Sequence, residues 1–185
     1  MLNSDKEHVQ VNAVGCLEYH HYFMSRLVAP NDRGVINIHC HGKLDHFPLF
    51  DQLSEGVRKM QTLENDERCL QGSTLNTLSM CEKYNLRYVF DLHHHYAETR
   101  QQRVDDNTLE RIIATWNGER PLFHVSDSRD PDATTAATIS PHSECIYNEW
   151  VIACTKELLG VADLEVESKA KQLSVIDLKN KLEKV

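Results

Sequence analysis

Asp91-Leu92-His93-His94-His95 closes the apolar run Leu86-Arg87-Tyr88-Val89-Phe90. The run reads as a buried strand, so a carboxylate and three imidazoles stand at its C-terminal end. Asp-x-x-His supplies two ligands for a first-row metal, at the end of the strand where a β/α barrel builds its active site. Thr62-Leu63-Glu64-Asn65-Asp66, Val35-Ile36-Asn37-Ile38-His39 and Leu122-Phe123-His124 end in the same way. Four such endings predict a metal site assembled strand by strand.

The candidate ligands are His39, Glu64, Asp91, His94, His124, His142 and Glu167. Mixed imidazole and carboxylate donors suit zinc, manganese or iron. They exceed one tetrahedral site, which points to a cluster of two or three ions, the arrangement that clamps the attacking and leaving oxygens in phosphoester hydrolysis. Glu64, Asp91, His94 and Glu167 are the expected catalytic residues. Spacing alone carries Asp91-x-x-His94 with Glu64; the other four rest on repetition of the pattern. Each has an ordinary reading as well. Glu64-Asn65-Asp66 has the composition of a turn, Glu167 that of a first-turn helix acid, and His142 that of a cap neighbour. His41 and His46 read as surface residues, and strand alternation would turn His93 and His95 away from His94. No Gly-x-Ser-x-Gly, Gly-x-Gly-x-x-Gly or Walker sequence competes, and seven glycines are few for a dinucleotide cradle.

The elements that must position these groups alternate. Ser4-Asp5-Lys6-Glu7 reads as a capping box opening a helix to about Leu27, with Val9, Val11, Val14, Leu17 and Phe23 as its core face. Pro30 to Gly34 is a turn. Strands are expected at Val35–Cys40, Gln61–Glu64, Arg87–Asp91, Pro121–Ser126 and Val161–Val166. Helices are expected at Phe50–Met60, around Leu75–Cys81 after a Ser73 or Thr74 cap, through Leu109–Ile113 after an Asp106 or Asn107 cap, at Glu144–Leu158 and at Lys169–Leu182. Residues 126–141 read as a loop. Strict alternation implies an α/β fold with a parallel sheet. A closed eight-stranded barrel takes about 250 residues, so five β/α units form either an open doubly wound sheet or a barrel without its first strands. A chain opening on a helix favours the second.

At 185 residues the chain makes one domain, residues 1–185, with 41% hydrophobic and 26% charged residues, ordinary for a globular protein. No apolar run approaches a membrane span and no hydrophobic signal core opens the chain, so an intracellular protein without a membrane partner is expected. Six cysteines without a CxxC pair argue against a zinc ribbon or a disulfide framework. A formal net charge of −8 at pH 7 is unfavourable for nucleic acid. Two features soften this: ligating carboxylates are neutralised by their ions, and Lys43, Arg100, Arg103, Arg120 and Arg129 follow predicted strand ends.

Leu63-Glu64-Asn65-Asp66-Glu67, the stretch Cys81 to His94, Thr115-Trp116, Pro121-Leu122-Phe123-His124-Val125-Ser126 and Glu167-Ser168-Lys169-Ala170-Lys171 together resemble the UV damage endonuclease family. Order and approximate spacing match to about Lys181, and Leu2 to Glu7 looks like the segment just after the family's His-Pro-Gly-Gln motif. The resemblance implies a TIM (β/α) barrel related to endonuclease IV, present here incompletely. It implies a divalent metal cluster, Mn2+ first with Zn2+ or Mg2+ as alternatives. It implies incision of UV-damaged double-stranded DNA 5′ of cyclobutane dimers and 6-4 photoproducts, in alternative excision repair. By match, His39 falls at the ligand of an HxGG strand, Glu64 at the bridging glutamate, and Asp91 and His94 at the D-x-x-H pair. His124 and His142 match the two later histidines, and Glu167 the final glutamate. Leu122 stands where many members carry lysine, and His41 replaces a glycine. The family's first third, with at least two histidine ligands, has no counterpart, so an oligomer or an N-terminal segment would complete the barrel. Two other readings stay open: a sugar isomerase or epimerase on a related metal-dependent barrel, and an inactive fragment or binding module.

Overall fold

The computed structural model describes residues 1–28, 34–130 and 132–184; the expected turn from Pro30 lies mostly outside them. The chain alternates helices and strands: α1 Glu7–Leu27, β1 Ile36–His39, α2 Glu55–Met60, β2 Gln61–Glu64, α3 Thr74–Tyr84, β3 Arg87–Val89, α4 Leu92–Thr99, α5 Asp106–Ala114, β4 Leu122–Val125, α6 Ala136–Ile139, α7 Glu149–Leu158, β5 Asp163–Val166 and α8 Gln172–Leu182. All strand pairings are parallel. They form a three-stranded sheet, β1-β2-β3, and a two-stranded sheet, β4-β5. Among the described residues a single bridge joins the two, pairing Asp91 with His124, and the His124 amide donates to the Phe90 carbonyl at 2.9 Å. The α/β class with a parallel sheet therefore holds, although the sheet splits at the β3–β4 seam.

The core fills the space between strands and helices. Leu63, Leu78, Tyr88, Phe90, Phe123 and Trp116 are fully buried, and the Phe90 and Phe123 rings meet edge-to-face across the seam at 5.8 Å. The Trp116 indole donates to the Tyr88 carbonyl at 2.7 Å, tying the end of α5 to β3. Caps set the helix starts. The Ser73 hydroxyl accepts from the Asn76 amide and the Asp105 carboxylate from the Thr108 amide. Gly72 lies where a Cβ would meet the Asp66 and Cys40 carbonyl oxygens at 2.4 and 2.7 Å, so only glycine lets the loop after β2 close over β1. Among the described residues no helix is long and apolar enough to cross a membrane, and all six cysteines are free.

Several expectations are corrected. Helix α1 starts without a capping box: Lys6 is the N-cap, and the Ser4 hydroxyl accepts only from the Lys6 amide. Its core face is thin, with Leu17 buried and Val11 and Phe23 exposed. The segment 50–60 breaks at Leu53 and Ser54 into a 3-10 turn and α2, because Ser54 caps a new helix by accepting from the Val57 amide. The cap of α5 is Asp105, one residue early. Helices α7 and α8 start later than expected, at Glu149 and Gln172, and α6 interrupts the expected loop. The largest correction concerns Asp91. Strand β3 stops at Val89, and Asp91 is the N-cap of α4, its Oδ1 accepting from the His94 amide at 2.7 Å. His93, His94 and His95 are therefore helical, and strand alternation does not govern them.

Candidate metal centre

Strand register brings the functional groups together at one end of the sheet. In β1 and β2, His39 is paired with Glu64 and Asn37 with Thr62. Asn37 donates to Glu64 Oε2 and accepts from the Thr62 hydroxyl at 2.8 Å, so the inner face of these strands orients the Glu64 carboxylate. Asn65 clamps the neighbouring strand end. Its Oδ1 accepts from the Asp91 amide at 2.8 Å, and its Nδ2 donates to the Asp91 carbonyl at 2.9 Å. The bridge between Asp91 and His124 then carries the site across the seam, and the Glu167 amide donates to the Val125 carbonyl at 3.0 Å beside it.

Two groups of donor atoms result. His39, Glu64 and His94 form one; Glu64, Asp91, His124 and Glu167 form the other. In each, the ligand atoms all lie within 4.8 Å of one another. Glu64 belongs to both. Its Oε2 is 3.4 Å from His39 Nε2, while its Oε1 is 3.1 Å from His124 Nδ1 and 3.8 Å from His94 Nε2. His124 Nδ1 also lies 3.5 Å from Glu167 Oε1 and 4.0 Å from Asp91 Oδ2. Six of the seven expected ligands are thus brought together. His142 stands outside both groups: its Nδ1 donates to the Glu167 carbonyl at 2.5 Å, and its ring centre is 6.1 Å from that of His94.

The donor set fits divalent ions. Asp91 divides its carboxylate, with Oδ1 capping α4 while the buried Oδ2 has no hydrogen-bond partner. A buried carboxylate oxygen left without a donor is costly, and here it lies 4.0 Å from His124 Nδ1. Glu64, Asp91, His94 and His124 are each at most 4% exposed.

Charges confirm the coupling. Burial works to raise the Glu64 carboxyl, but hydrogen bonds and positive charge from His124 and His39 hold it well below the usual range. Burial works to lower His94, yet Asp91, Glu67 and Glu64 push it up to about 10. His124, also pulled down by burial, is pushed up to about 9 by Glu64, Asp91 and Glu167. His39 is raised by its hydrogen bond with Glu64. Glu167 is raised by burial and by the Asp91 and Glu64 charges. Glu64 and the imidazoles around it therefore favour each other's charged forms.

Three neighbours escaped the sequence reading. Asn37 and Asn65 carry no metal-ligand signal. Glu67 lies three residues beyond Glu64, yet its Oε2 is 2.5 Å from His94 Nδ1. Burial raises the Glu67 carboxyl, but His94 and Ser140 overcome this and hold it at about 2. His41, expected at the surface, is half-buried with Nδ1 3.2 Å from Asp66 Oδ2. His46 is exposed, as expected, beside Asp45. Of the expected basic residues, Lys43, Arg103 and Arg120 are paired with Asp5, Glu157 and Asp163.

Comparison with known proteins bears on this geometry. The model of one family, described as UV-endonuclease UvdE, matches residues 1–185. The chain is 31% identical over 199 residues to a UV DNA damage endonuclease of Bacillus cereus strain G9842, covering 98% of this chain and 59% of the relative. It is 28% identical to one from Bacillus anthracis, covering 100% of this chain and 60% of that protein. The chain thus spans about three-fifths of the length of the curated relatives it matches. The fold is similar to the crystal structure of SacUVDE, with a TM-score of 0.76 at 21% identity, covering 100% of this chain and 62% of that one.

Proposed function

The chain belongs to the UV-endonuclease UvdE family, and from that premise we propose that it is the metal-binding part of a DNA repair endonuclease that incises 5′ of UV photoproducts. The observation carrying this reading is Glu64, which belongs to both donor groups, with Oε2 3.4 Å from His39 and Oε1 3.1 Å from His124 and 3.8 Å from His94. A carboxylate so placed could serve two ions at once. On this proposal His39, Glu64 and His94 would hold one ion, Glu64, Asp91, His124 and Glu167 would hold another, and His142 would be a further ligand from the adjacent loop. Mn2+ is the proposed ion, with Zn2+ and Mg2+ as alternatives suited to part of this donor set.

When bound, the ions would supply an activated water and charge stabilisation for the phosphoryl oxygens. The protein's own residues do the rest. Asn37 and Asn65 hold Glu64 and Asp91 in place. The packed Phe90–Phe123 seam beneath excludes water from the underside. Glu167 and His142 stand on the half-exposed rim, where a phosphodiester would approach. The proposed substrate is UV-damaged double-stranded DNA, and its place is intracellular. The five strands are read as an arc of a β/α barrel forming a single domain over residues 1–185.

The test is Mn2+-dependent nicking of a duplex carrying one defined cyclobutane dimer, using the purified 185-residue chain. Incision immediately 5′ of the dimer, lost in Glu64→Gln, is the expected result. Folded, Mn2+-loaded protein that leaves the duplex intact would overturn the proposal.

A further inference from the structure

The three residues after Glu64 each reach a different group in the centre. Asn65 forms a double hydrogen bond with the backbone of Asp91 at 2.8 and 2.9 Å. Asp66 directs Oδ2 toward His39 Nδ1 at 3.6 Å, its Oδ1 being held by the Arg68 amide at 2.9 Å. Glu67 Oε2 meets His94 Nδ1 at 2.5 Å, with both side chains at most 3% exposed, and Arg68 Nε stands 3.7 Å from the other Glu67 oxygen. We infer that residues 65–67 are a collar of positioning residues, in which Glu67 fixes the His94 ring so that Nε2 is its ligating atom. This inference rests on the metal-centre reading above.

The chemistry follows from imidazole itself. A neutral histidine has one N–H donor and one lone-pair nitrogen, and the hydrogen bond made by one decides the role of the other. A histidine ring has two broad orientations of similar energy about its last torsion, so an unheld ring would offer either nitrogen. With Nδ1–H given to Glu67, Nε2 is the nitrogen turned toward Glu64, 3.8 Å away. Outer carboxylates acting on metal-bound histidines in this way raise ligand basicity and cut orientational freedom. The loop can do this because it is stiff. The Asp66 amide donates to the Gly72 carbonyl at 2.7 Å, and Gly72 packs too closely on Asp66 and Cys40 for any side chain. The distances also rank the contacts: Glu67 holds its histidine at hydrogen-bond length, while Asp66 stands farther from His39.

The experiment measures Mn2+ affinity of the full chain by calorimetry and, with diamagnetic Zn2+ as probe, the 15N shifts of the His94 ring. Glu67→Ala is expected to weaken Mn2+ roughly 10- to 100-fold. Glu67→Gln, which keeps volume and an acceptor oxygen, is expected to recover part of that loss, and it carries the test if the alanine variant does not fold. Asp66→Asn is expected to lose less than Glu67→Ala. In the Zn2+ form the coordination shift should fall on Nε2 of His94. A purely structural Glu67 would change melting temperature without moving that shift. Equal affinities in wild type and both Glu67 variants, or a coordination shift on Nδ1 in the wild type, would overturn the inference alone. Failure of the wild type itself to bind Mn2+ or Zn2+ would overturn the proposed function and this inference with it.

Discussion

The two ends of the sheet handle charge in opposite ways. At the N-terminal end, Arg87 meets Glu119 at 3.1 Å and Arg120 meets Asp163 at 2.9 Å, each acid having a permanent cation within reach of water. At the C-terminal end, Glu64, Asp91 and Glu167 converge with only imidazoles between them, and Glu64 and Asp91 are almost wholly buried. Exposed pairs contribute about 0–1 kcal/mol and need no further partner. Buried carboxylates need a fixed cation or a proton. A parallel sheet does not itself impose this difference; it is written into which residues close each strand.

The comparison can be broken most severely at Glu64. Glu64→Gln removes the charge shared by both donor groups, and Mn2+ binding is expected to fall beyond the roughly 100-fold that losing an outer partner costs. Calorimetry checks this, and a variant that binds as the wild type does would remove Glu64 from the site. Asp91→Asn sharpens the same contrast. Asparagine caps helices about as well as aspartate, so circular dichroism is expected to show α4 retained while Mn2+ affinity drops about 10- to 100-fold. A matched loss of helix and metal would show that Asp91 serves only as a cap.

Addition of Mn2+ at about a hundred times its dissociation constant is expected to stabilise the fold by roughly 2.7 kcal/mol, reversed by a chelator. Thermal melts with and without metal measure this. Raised His94 and His124 set the pH dependence. Both carry protons at pH 7 in the metal-free protein, with values pushed to about 10 and about 9. Metal must displace those protons, so affinity rises with pH, and calorimetry in buffers of different ionisation heat should detect their release. The smallest effects belong to the other end and to the surface. Asp163→Asn is expected to cost less than about 1 kcal/mol in denaturant unfolding, and His46→Ala to leave Mn2+ affinity unchanged, because among the described residues exposed His46 pairs with its neighbour Asp45 and lies in neither donor group.

Much of this architecture was legible in the residues. Strand β2 lies where the sequence places a strand, at Gln61–Glu64 after the helix that ends at Met60. The sequence places Asp91-x-x-His94 along a strand, whereas α4 brings the two together through a helix cap. The helical turn also buries His93 and His95, which meet the Ser140 carbonyl and Thr74 respectively. Helix α1 misled because its apolar residues suggested a face that the described residues leave largely exposed.

The sequence by itself determined which groups close each strand, the α/β alternation, and the chemical type of the donor set, because ligand identity and periodicity are local properties. Only the tertiary structure decided that Glu64 is shared, that Asp91 splits its oxygens between a helix and the cluster, that His142 stands apart, and that Glu67 holds His94. Those outcomes depend on register between strands and on loop closure at Gly72, where residues 26 to 60 positions apart meet within hydrogen-bond distance. No periodicity along one segment encodes such distances, because they follow from how separate segments pack.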